Sequence, residues 1–438
     1  MTDRPSDIES WLMAGQTALD AGRHTDAAAA FLRVQAALPG EITVALMVAN
    51  AWRLAGNTVG VRHALLAVFH HITAPSTGSP SSIGAGDVTA MYELGAALLD
   101  AGAPSEAREL FERVVRKRPK DPAALGALAS ATRAAGDPQR AWPIVQRAMA
   151  IAPKQPALLL TAAQVRHALG DLTRARYWLD RVEAVRPAHG PTRLQRALTS
   201  LLGGPTAEGW ADFEYRGLPT PPATGASPWQ GESLDGQSIL VTAEQGQGDN
   251  FHFIRYVPEL TARGAARVVV ECHPGALSLF AASGFDAVVK GEAPVTDWYV
   301  PMLSLPHWLG TGADVAAGRV PYLRTGADRP TGRSAPRPAG RRTLGLVWQG
   351  NPAFLATTLR DFDHTLLPAL LDMPGIDWVW MQYGAAPPIA HERLATPPLS
   401  SSWLETARLL ETLDGLVSVD TGLAHLSGAL GLPTYVML

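Results

Sequence analysis

Cysteine is almost absent from this sequence of 438 residues, since Cys272 is its only copy. A single cysteine cannot form an intramolecular disulfide and cannot build a cysteine-rich zinc site. No apolar run reaches the roughly 18 residues that a membrane-spanning helix needs. The first residues, MTDRPSDIES, also lack the basic and apolar stretches of a signal peptide. The sequence therefore favours a cytoplasmic protein without stable membrane insertion.

Excess positive charge is also missing, because the formal net charge is -3 at pH 7. We therefore expect no general attraction to nucleic acid. With 47% hydrophobic and 18% charged residues, the composition is that of a folded protein. Single cores stop growing near about 250 to 300 residues, so two or three domains are expected.

Glycine recurs in the first half with a period of 34 residues. It does so at Gly22 and Gly56, and again at Gly102, Gly136, Gly170 and Gly204. A loop insertion rich in proline, glycine and serine, near 74–87, separates the two groups. Within one unit, the spacing of apolar residues and the stop at Pro119 predict helices over 88–101 and 104–117. The pattern predicts about six helical units over 1–205.

One unit of this array carries Gly95, Ala107 and Pro119 at its eighth, twentieth and thirty-second positions. This pattern resembles the tetratricopeptide repeat, with units that start near residues 8, 42, 88, 122, 156 and 190. The resemblance implies an α-solenoid with a groove that binds a protein partner. A simple spacer or a dimerisation arm is the alternative.

The pattern of apolar residues changes after residue 205. A segment over 206–236 holds the aromatic residues Trp210, Phe213, Tyr215 and Trp229, which we interpret as packing that closes the solenoid. Strand-like runs then alternate with helical ones, which predicts parallel sheets covered on both faces. The pattern divides into a first Rossmann-like α/β domain over 237–325, a linker over 326–341 and a second such domain over 342–438. Ligands of such domains bind at the carboxyl ends of the strands.

Near the start of each α/β domain, a polar and glycine-rich turn follows a predicted strand. In TAEQGQGDNFHFIRY, Gly246 and Gly248 free the backbone, Asp249 opens a helix and His252 lies one turn later. Asp249 is a candidate general base, and the alternative is that it only caps the helix. In VWQGNPAFLATTLRDF the candidates for a phosphate site are Gly350, Asn351 and Arg360, although Arg360 alone fits a surface ion pair as well.

The third turn lies in SVDTGLAHLSGALG near the end of the sequence. Asp420 and Thr421 end a strand, Gly422 leaves room for close approach, and His425 follows in the first helical turn. Helix N-terminal amides favour a diphosphate at such a place. The alternatives are an N-cap formed by Asp420 or Thr421 and a histidine buried by packing.

Several stretches, in this order along the chain, resemble one bacterial family. They are EGWADFEYR, PWQGESLDG, EQGQGDNFHFIRYVP, PMLSLPHWLG, VWQGNP and WLETARLLETLDGLVSVDTGLAHLSGALGLPTYVML. In that family, tetratricopeptide repeats precede a catalytic part similar to the heptosyltransferase-like glycosyltransferases of family 9. The resemblance implies a GT-B fold, in which two Rossmann-like domains face each other.

Site roles follow from this resemblance residue by residue. Gly248 and Asp249 match the Gly-Asp of the first domain, where the acid is the base, and His252 adds a second possible base. The donor-binding positions are Gly350, Asn351, Arg360, Gln382, Asp420, Thr421, Gly422 and His425. The donor is a nucleotide sugar, and neither a cofactor nor a metal ion is expected. Relatives continue for some tens of residues beyond this sequence, so we expect a second domain that is truncated at its C-terminus.

These observations predict a metal-independent, inverting glycosyltransferase whose repeats recruit a protein acceptor. Flagellin and other bacterial surface proteins are acceptors suggested by the resemblance. One alternative is a non-catalytic repeat scaffold with a degenerate transferase domain. Another is transfer of the sugar to a lipid-linked glycan.

Overall fold

The computed structural model describes residues 5–74, 88–310, 320–326, 340–350 and 362–437. The chain folds as two compact units, Met1–Gln195 and Arg196–Leu438. No helix in the described residues is both long and apolar enough to cross a membrane. The sequence predicts three folded domains, whereas both predicted Rossmann-like domains lie within the second compact unit.

Helices follow one another through the first unit. They are α1 (Pro5–Asp20), α2 (His24–Ala37), α3 (Ile42–Leu54), α4 (Thr58–Thr73), α5 (Val88–Asp100), α6 (Pro104–Lys117), α7 (Pro122–Ala134), α8 (Pro138–Ile151), α9 (Pro156–Ala168), α10 (Leu172–Val185) and α11 (Gly190–Leu202), the last of which crosses the unit boundary. From α1 to α10 each helix packs against the next, and the first helices of successive pairs, α3, α5, α7 and α9, also contact one another. The helix pairs therefore stack as an α-solenoid.

The glycine period has a conformational cause. All six repeat glycines have left-handed φ angles, between 69° and 128°. They follow the first helix of each pair, where a side chain would strain the backbone. Within the pairs, a Cβ atom on Gly15 would lie 2.3 Å from the Phe31 ring, and one on Gly95 would lie 2.9 Å from the Phe111 ring. The small eighth residue therefore makes room for an aromatic ring on the second helix, which confirms the predicted close approach.

Strands and short helices alternate in the second unit. The helices are α12 (Ala207–Phe213), α13 (Gln247–Phe253), α14 (Val257–Ala262), α15 (Leu277–Ala282), α16 (Leu305–Leu309), α17 (Leu367–Leu371), α18 (Trp403–Glu411) and α19 (Gly422–Ala429). The strands are β1 (Ser227–Pro228), β2 (Ser238–Thr242), β3 (Arg267–Cys272), β4 (Asp286–Val289), β5 (Trp298–Pro301), β6 (Arg342–Val347), β7 (Ile376–Trp380), β8 (Leu394–Ala395), β9 (Gly415–Val419) and β10 (Thr434–Met437).

The strands form two five-stranded sheets, in the orders β1-β5-β2-β3-β4 and β10-β9-β6-β7-β8. Every described strand pair is parallel. One buried apolar cluster draws residues from both sheets, including Val241 and Val270 of the first and Val347 and Leu416 of the second. The α/β class predicted from the sequence is confirmed, and both sheets share a core.

One predicted helix is interrupted. The run GDNFHFIRYVPELTARG predicts a continuous helix, but α13 ends at Phe253, a 3-10 turn covers Ile254–Tyr256, and α14 starts at Val257. Pro258 lies in the first turn of α14 and has no N–H to donate to a preceding helical turn. The interruption makes α13 a short, separate element that carries Asp249 and His252.

Candidate functional site

The loop after β2 positions Asp249. Gln245 has a left-handed φ of 56°, and Gly246 is the N-cap of α13. The Asp249 carboxylate accepts a hydrogen bond from the Gly246 N–H at 3.0 Å, so Asp249 does cap the helix. Burial raises the pKa of the Asp249 carboxyl, and the charge of Asp420 adds to this increase, while the Gly246 N–H and His425 oppose it. Its charge therefore interacts with those of the residues in the third turn.

That third turn lies between β9 and α19. Thr421 is the N-cap of α19, and its hydroxyl accepts a hydrogen bond from the Ala424 N–H at 3.4 Å. The same hydroxyl lies 2.9 Å from the hydroxyl of Ser418, which is fully buried. His425 Nε2 lies 3.6 Å from Asp420 Oδ1, and both side chains remain partly exposed, at 34% and 43%. The predicted cap is present, and the acid and the histidine face each other beside it.

The two turns meet. α13 packs against α19, and an ideal Cβ atom on Gly248 would lie 2.8 Å from His425 Cδ2 and 3.1 Å from the Gly422 Cα. The imidazole rings of His252 and His425 stack with centroids 5.5 Å apart and an interplanar angle of 23°. Glycine is needed at Gly248 for this close approach rather than for a left-handed backbone. Candidate residues more than 170 positions apart in sequence therefore lie side by side.

The electrostatics of this cluster keep His252 neutral. The His252 side chain is exposed to solvent at the surface, and the protein atoms around it still desolvate its imidazole in part. Together with the positive charges of His425 and Arg255, this desolvation lowers the pKa of His252 to about 4. The imidazole is therefore neutral at physiological pH, and this low pKa makes it a weaker base than an ordinary histidine.

The remaining donor-side predictions lie at other strand ends. Gln382 follows β7, and its side-chain carbonyl accepts a hydrogen bond from the Gln349 N–H at 3.2 Å. This contact joins the ends of β6 and β7, and Gly350 follows as a buried residue. Asn351 and Arg360 lie outside the described residues. Gln382 therefore binds the backbone of Gln349 beside the predicted phosphate turn.

Sequence reasoning missed the support beneath the Asp249 loop. Arg216, which follows α12, pairs with Glu244 at 2.7 Å, and both side chains are 4% exposed. Arg216 belongs to the stretch EGWADFEYR and Glu244 to the stretch EQGQGDNFHFIRYVP. Both residues therefore lie in motifs that the sequence shows, but the sequence does not show that they pair. Three of the four aromatic residues predicted to close the solenoid pack in the α/β core instead. Trp229 is buried in that core, and Trp210 and Phe213 lie against it, with the Trp210 ring centroid 5.8 Å from that of Phe253.

A groove lies away from the paired turns. This groove of about 1080 Å³ lies beside α14 and the segment 320–324, and none of the predicted site residues lines it. Across the described ranges, no group of three or more His, Cys, Asp or Glu side chains is arranged to hold a metal ion. The paired turns at α13 and α19 are the place where predicted site residues of both sheets come together.

Comparison with known proteins identifies the first unit. Models of the tetratricopeptide repeat match residues 3–42, 92–156 and 133–201. Among solved structures, the chain is similar to MamA (14% identity, 42% of this chain and 93% of that one, TM-score 0.32). It is also similar to a tetratricopeptide repeat protein from Parabacteroides merdae (14%, 48% and 78%, TM-score 0.38) and to a thermophilic one in Thermus thermophilus (18%, 40% and 89%, TM-score 0.31).

No curated protein shows significant sequence similarity to the chain. The matched family regions end at residue 201, where the α/β elements have not yet begun. The 34-residue period, the left-handed glycines and the helix pairs agree with the matches to the repeat-family models. The N-terminal part of the chain is a tetratricopeptide-repeat array.

Proposed function

We propose that the repeats bind a protein partner and that the chain serves as a scaffold for it. The observation that carries this proposal is the continuous row formed by the first helices α3, α5, α7 and α9. Between α7 and α9 the hydroxyls of Ser130 and Thr161 lie 3.3 Å apart, so neighbouring first helices share one face. Rows of this kind expose side chains from several repeats to one extended ligand.

A matched pair of substitutions tests this proposal. Gln164 lies three residues after Thr161 on α9 and is half-buried, whereas Gln146 is exposed on the second helix α8. We expect Gln164→Glu to weaken capture of a partner by the immobilised chain and Gln146→Glu to leave it unchanged. The two substitutions make the same chemical change, so equal behaviour of both variants, or no captured partner at all, contradicts binding through the first helices.

We propose glycosyl transfer as a second function, because of one observation in the α/β unit. The Asp249 and His252 loop meets the Asp420 and His425 turn where α13 and α19 begin. Asp249 is proposed to deprotonate an acceptor hydroxyl, and the N-terminal end of α19, with its positive helix dipole, to stabilise the departing diphosphate. No metal ion takes part in this proposal.

The proposed donor can approach the turn before α19 from one side. An ideal Cβ atom on Gly422 would lie 3.5 Å from the Gly248 nitrogen and 3.5 Å from the ring of Trp403, so that side of the turn is filled. The diphosphate would approach from the side on which Asp420 and His425 remain partly exposed. His425 would then donate to a phosphate oxygen, and the Asp420 carboxylate would hold its ring. In a GT-B arrangement Gly350, Asn351, Arg360 and Gln382 would complete the donor site.

A thermal-shift screen with UDP-, GDP-, ADP- and CMP-sugars, followed by a transfer assay, tests this second function. We expect one donor class to raise the melting temperature of the full chain and Asp249→Asn to retain that shift while transfer is lost. If none of these donors shifts the melting temperature and no sugar is transferred, the α/β unit is not such an enzyme. Transfer that Gln164→Glu leaves intact would favour a glycan acceptor over a protein held by the repeats.

A further inference from the structure

A buried ion network links the end of α12 to the loop after β2. The Arg216 guanidinium donates to both carboxylate oxygens of Glu244, through Nε at 3.2 Å and through a terminal nitrogen at 2.7 Å. Its other hydrogen bonds go to the Phe213 carbonyl at 3.2 Å, the Glu214 carboxylate at 2.7 Å and the Ser304 hydroxyl at 2.8 Å. All five N–H groups of Arg216 are therefore used.

The acceptors are themselves held in place. The Ser304 hydroxyl donates to Glu214 at 2.8 Å, and Ser304 is fully buried. The Leu303 N–H donates to Glu244 Oε1 at 2.8 Å, and this is the oxygen that the terminal nitrogen of Arg216 contacts. Three separate segments, namely the end of α12, the end of β2 and the turn before α16, are thus joined through one guanidinium. A network satisfied in this way is rigid, because moving any member leaves a buried polar group without its partner.

Glu244 passes this rigidity to the candidate site. Its backbone carbonyl accepts from the Asn250 side-chain amide at 3.2 Å, and that amide also donates to the Gly246 carbonyl at 2.8 Å. The Gly246 N–H in turn donates to Asp249. Asn250 is only 2% exposed, so this path from Glu244 to Asp249 lies mostly inside the protein.

We propose that Arg216 is a positioning residue, which fixes Glu244 and through it the loop that aims Asp249 and His252 at the Asp420 and His425 turn. The proposal rests on the glycosyl transfer proposed above for its catalytic consequence. Lysine cannot replace arginine here, because its ammonium has three donors at one point and cannot span Glu244, Glu214 and the Phe213 carbonyl together.

The experiment compares Arg216→Lys with Arg267→Lys in the full chain. Arg267 pairs with Asp286 at 2.8 Å on the surface, where both side chains are about half exposed, so the control makes the same chemical change at an exposed ion pair. The first readout is the NMR pH titration of the histidine rings, which needs no substrate. We expect Arg216→Lys to move the titration of His252 upward by roughly half a pH unit or more, because a loosened loop admits water, and Arg267→Lys to leave it unchanged.

The second readout is transfer activity. With the loop misplaced, we expect kcat to fall by about 10- to 100-fold with a shifted pH profile and an unchanged KM for the donor. A His252 titration and a pH profile that both match the wild type would overturn the proposal. If Arg216→Lys does not fold, Glu244→Gln keeps the shape of the acceptor and removes its charge, and the same readouts apply. If no sugar is ever transferred, the glycosyl-transfer proposal fails, and the titration still decides the positioning role.

Discussion

Gly248→Ala probes the contact between α13 and α19 directly. The added methyl group would lie 2.8 Å from His425 Cδ2 and 3.1 Å from the Gly422 Cα. Carbon atoms in contact normally lie about 3.5 to 4.0 Å apart, so both distances are too short. The imidazole can rotate away, but the Gly422 Cα is backbone and moves only with α19. The substitution therefore has to separate the two helices slightly.

The expected cost follows from two opposing effects. Overpacking of this kind costs about 1 to 3 kcal/mol, and replacing glycine by alanine in a helix returns up to about 1 kcal/mol. With the middle of each range, the net loss in the free energy of unfolding is about 1 to 2 kcal/mol. Since each kcal/mol corresponds to roughly 2 to 4 °C for a unit of this size, the transition of the α/β unit should fall by roughly 2 to 8 °C.

Calorimetry of the full chain measures this transition, and the two compact units need to be fitted separately. The matched control is Gly428→Ala on α19, where a Cβ atom would meet nothing within 4 Å. We expect this control to hold or raise the transition temperature, by up to about 1 kcal/mol in stability. If Gly248→Ala is as stable as the wild type while the control behaves as expected, α13 and α19 are not packed as closely as described.

Three further predictions concern other parts of the chain. Gly15→Ala should destabilise the first unit by about 1 to 3 kcal/mol in urea unfolding, because its Cβ atom would lie 2.3 Å from the Phe31 ring, and Phe31→Leu in the same chain should recover part of the loss. For His252, whose pKa falls from 6.5 to about 4 on folding, the unfolded chain binds the proton first. The free energy of unfolding should therefore fall as the pH drops from 6.5 towards 4, and it should fall less steeply in His252→Gln. Equal slopes of unfolding free energy against pH in the two proteins would contradict the low pKa of His252. Glu271→Ala should lower the free energy of unfolding by about 2 to 5 kcal/mol. The reason is that the buried Glu271 carboxylate accepts hydrogen bonds from two backbone N–H groups at 2.9 and 3.2 Å. Glu271→Gln should lose less stability in the same urea assay.

The repeat array could be predicted from sequence because its cause is local. A left-handed glycine, a small residue against an aromatic ring and a proline after the second helix all act within one unit of about 34 residues. The observed helices Val88–Asp100 and Pro104–Lys117 agree with the predicted spans of 88–101 and 104–117 to within a residue. The longer strands were recoverable for a similar reason, because runs such as SILVT and GLVSV are short, apolar and buried.

Other features had no local signal. β1 and β8 contain two residues each, Ser227–Pro228 and Leu394–Ala395, and such pairs show no periodicity. Arg216 and Glu244 pair across 28 positions, and neither residue type indicates its partner in the sequence. The break between α13 and α14 did have a signal in Pro258, which the strong apolar pattern around it concealed. Local rules gave the elements, while contacts between distant segments needed the fold.

The two interpretations of Asp249, helix cap and general base, are compatible rather than opposed. The cap uses one carboxylate oxygen, Oδ2, as the acceptor for the Gly246 N–H. A carboxylate has about four acceptor positions on its two oxygens, so one capping bond leaves capacity for a proton. The cap also fixes the side-chain rotamer, and burial together with the charge of Asp420 raises the pKa, which brings the carboxylate closer to the basicity that a general base needs at neutral pH. Asparagine can accept the Gly246 N–H but cannot take a proton from an acceptor, so in Asp249→Asn a stable fold with no transfer would show that Asp249 acts as a base in addition to capping the helix.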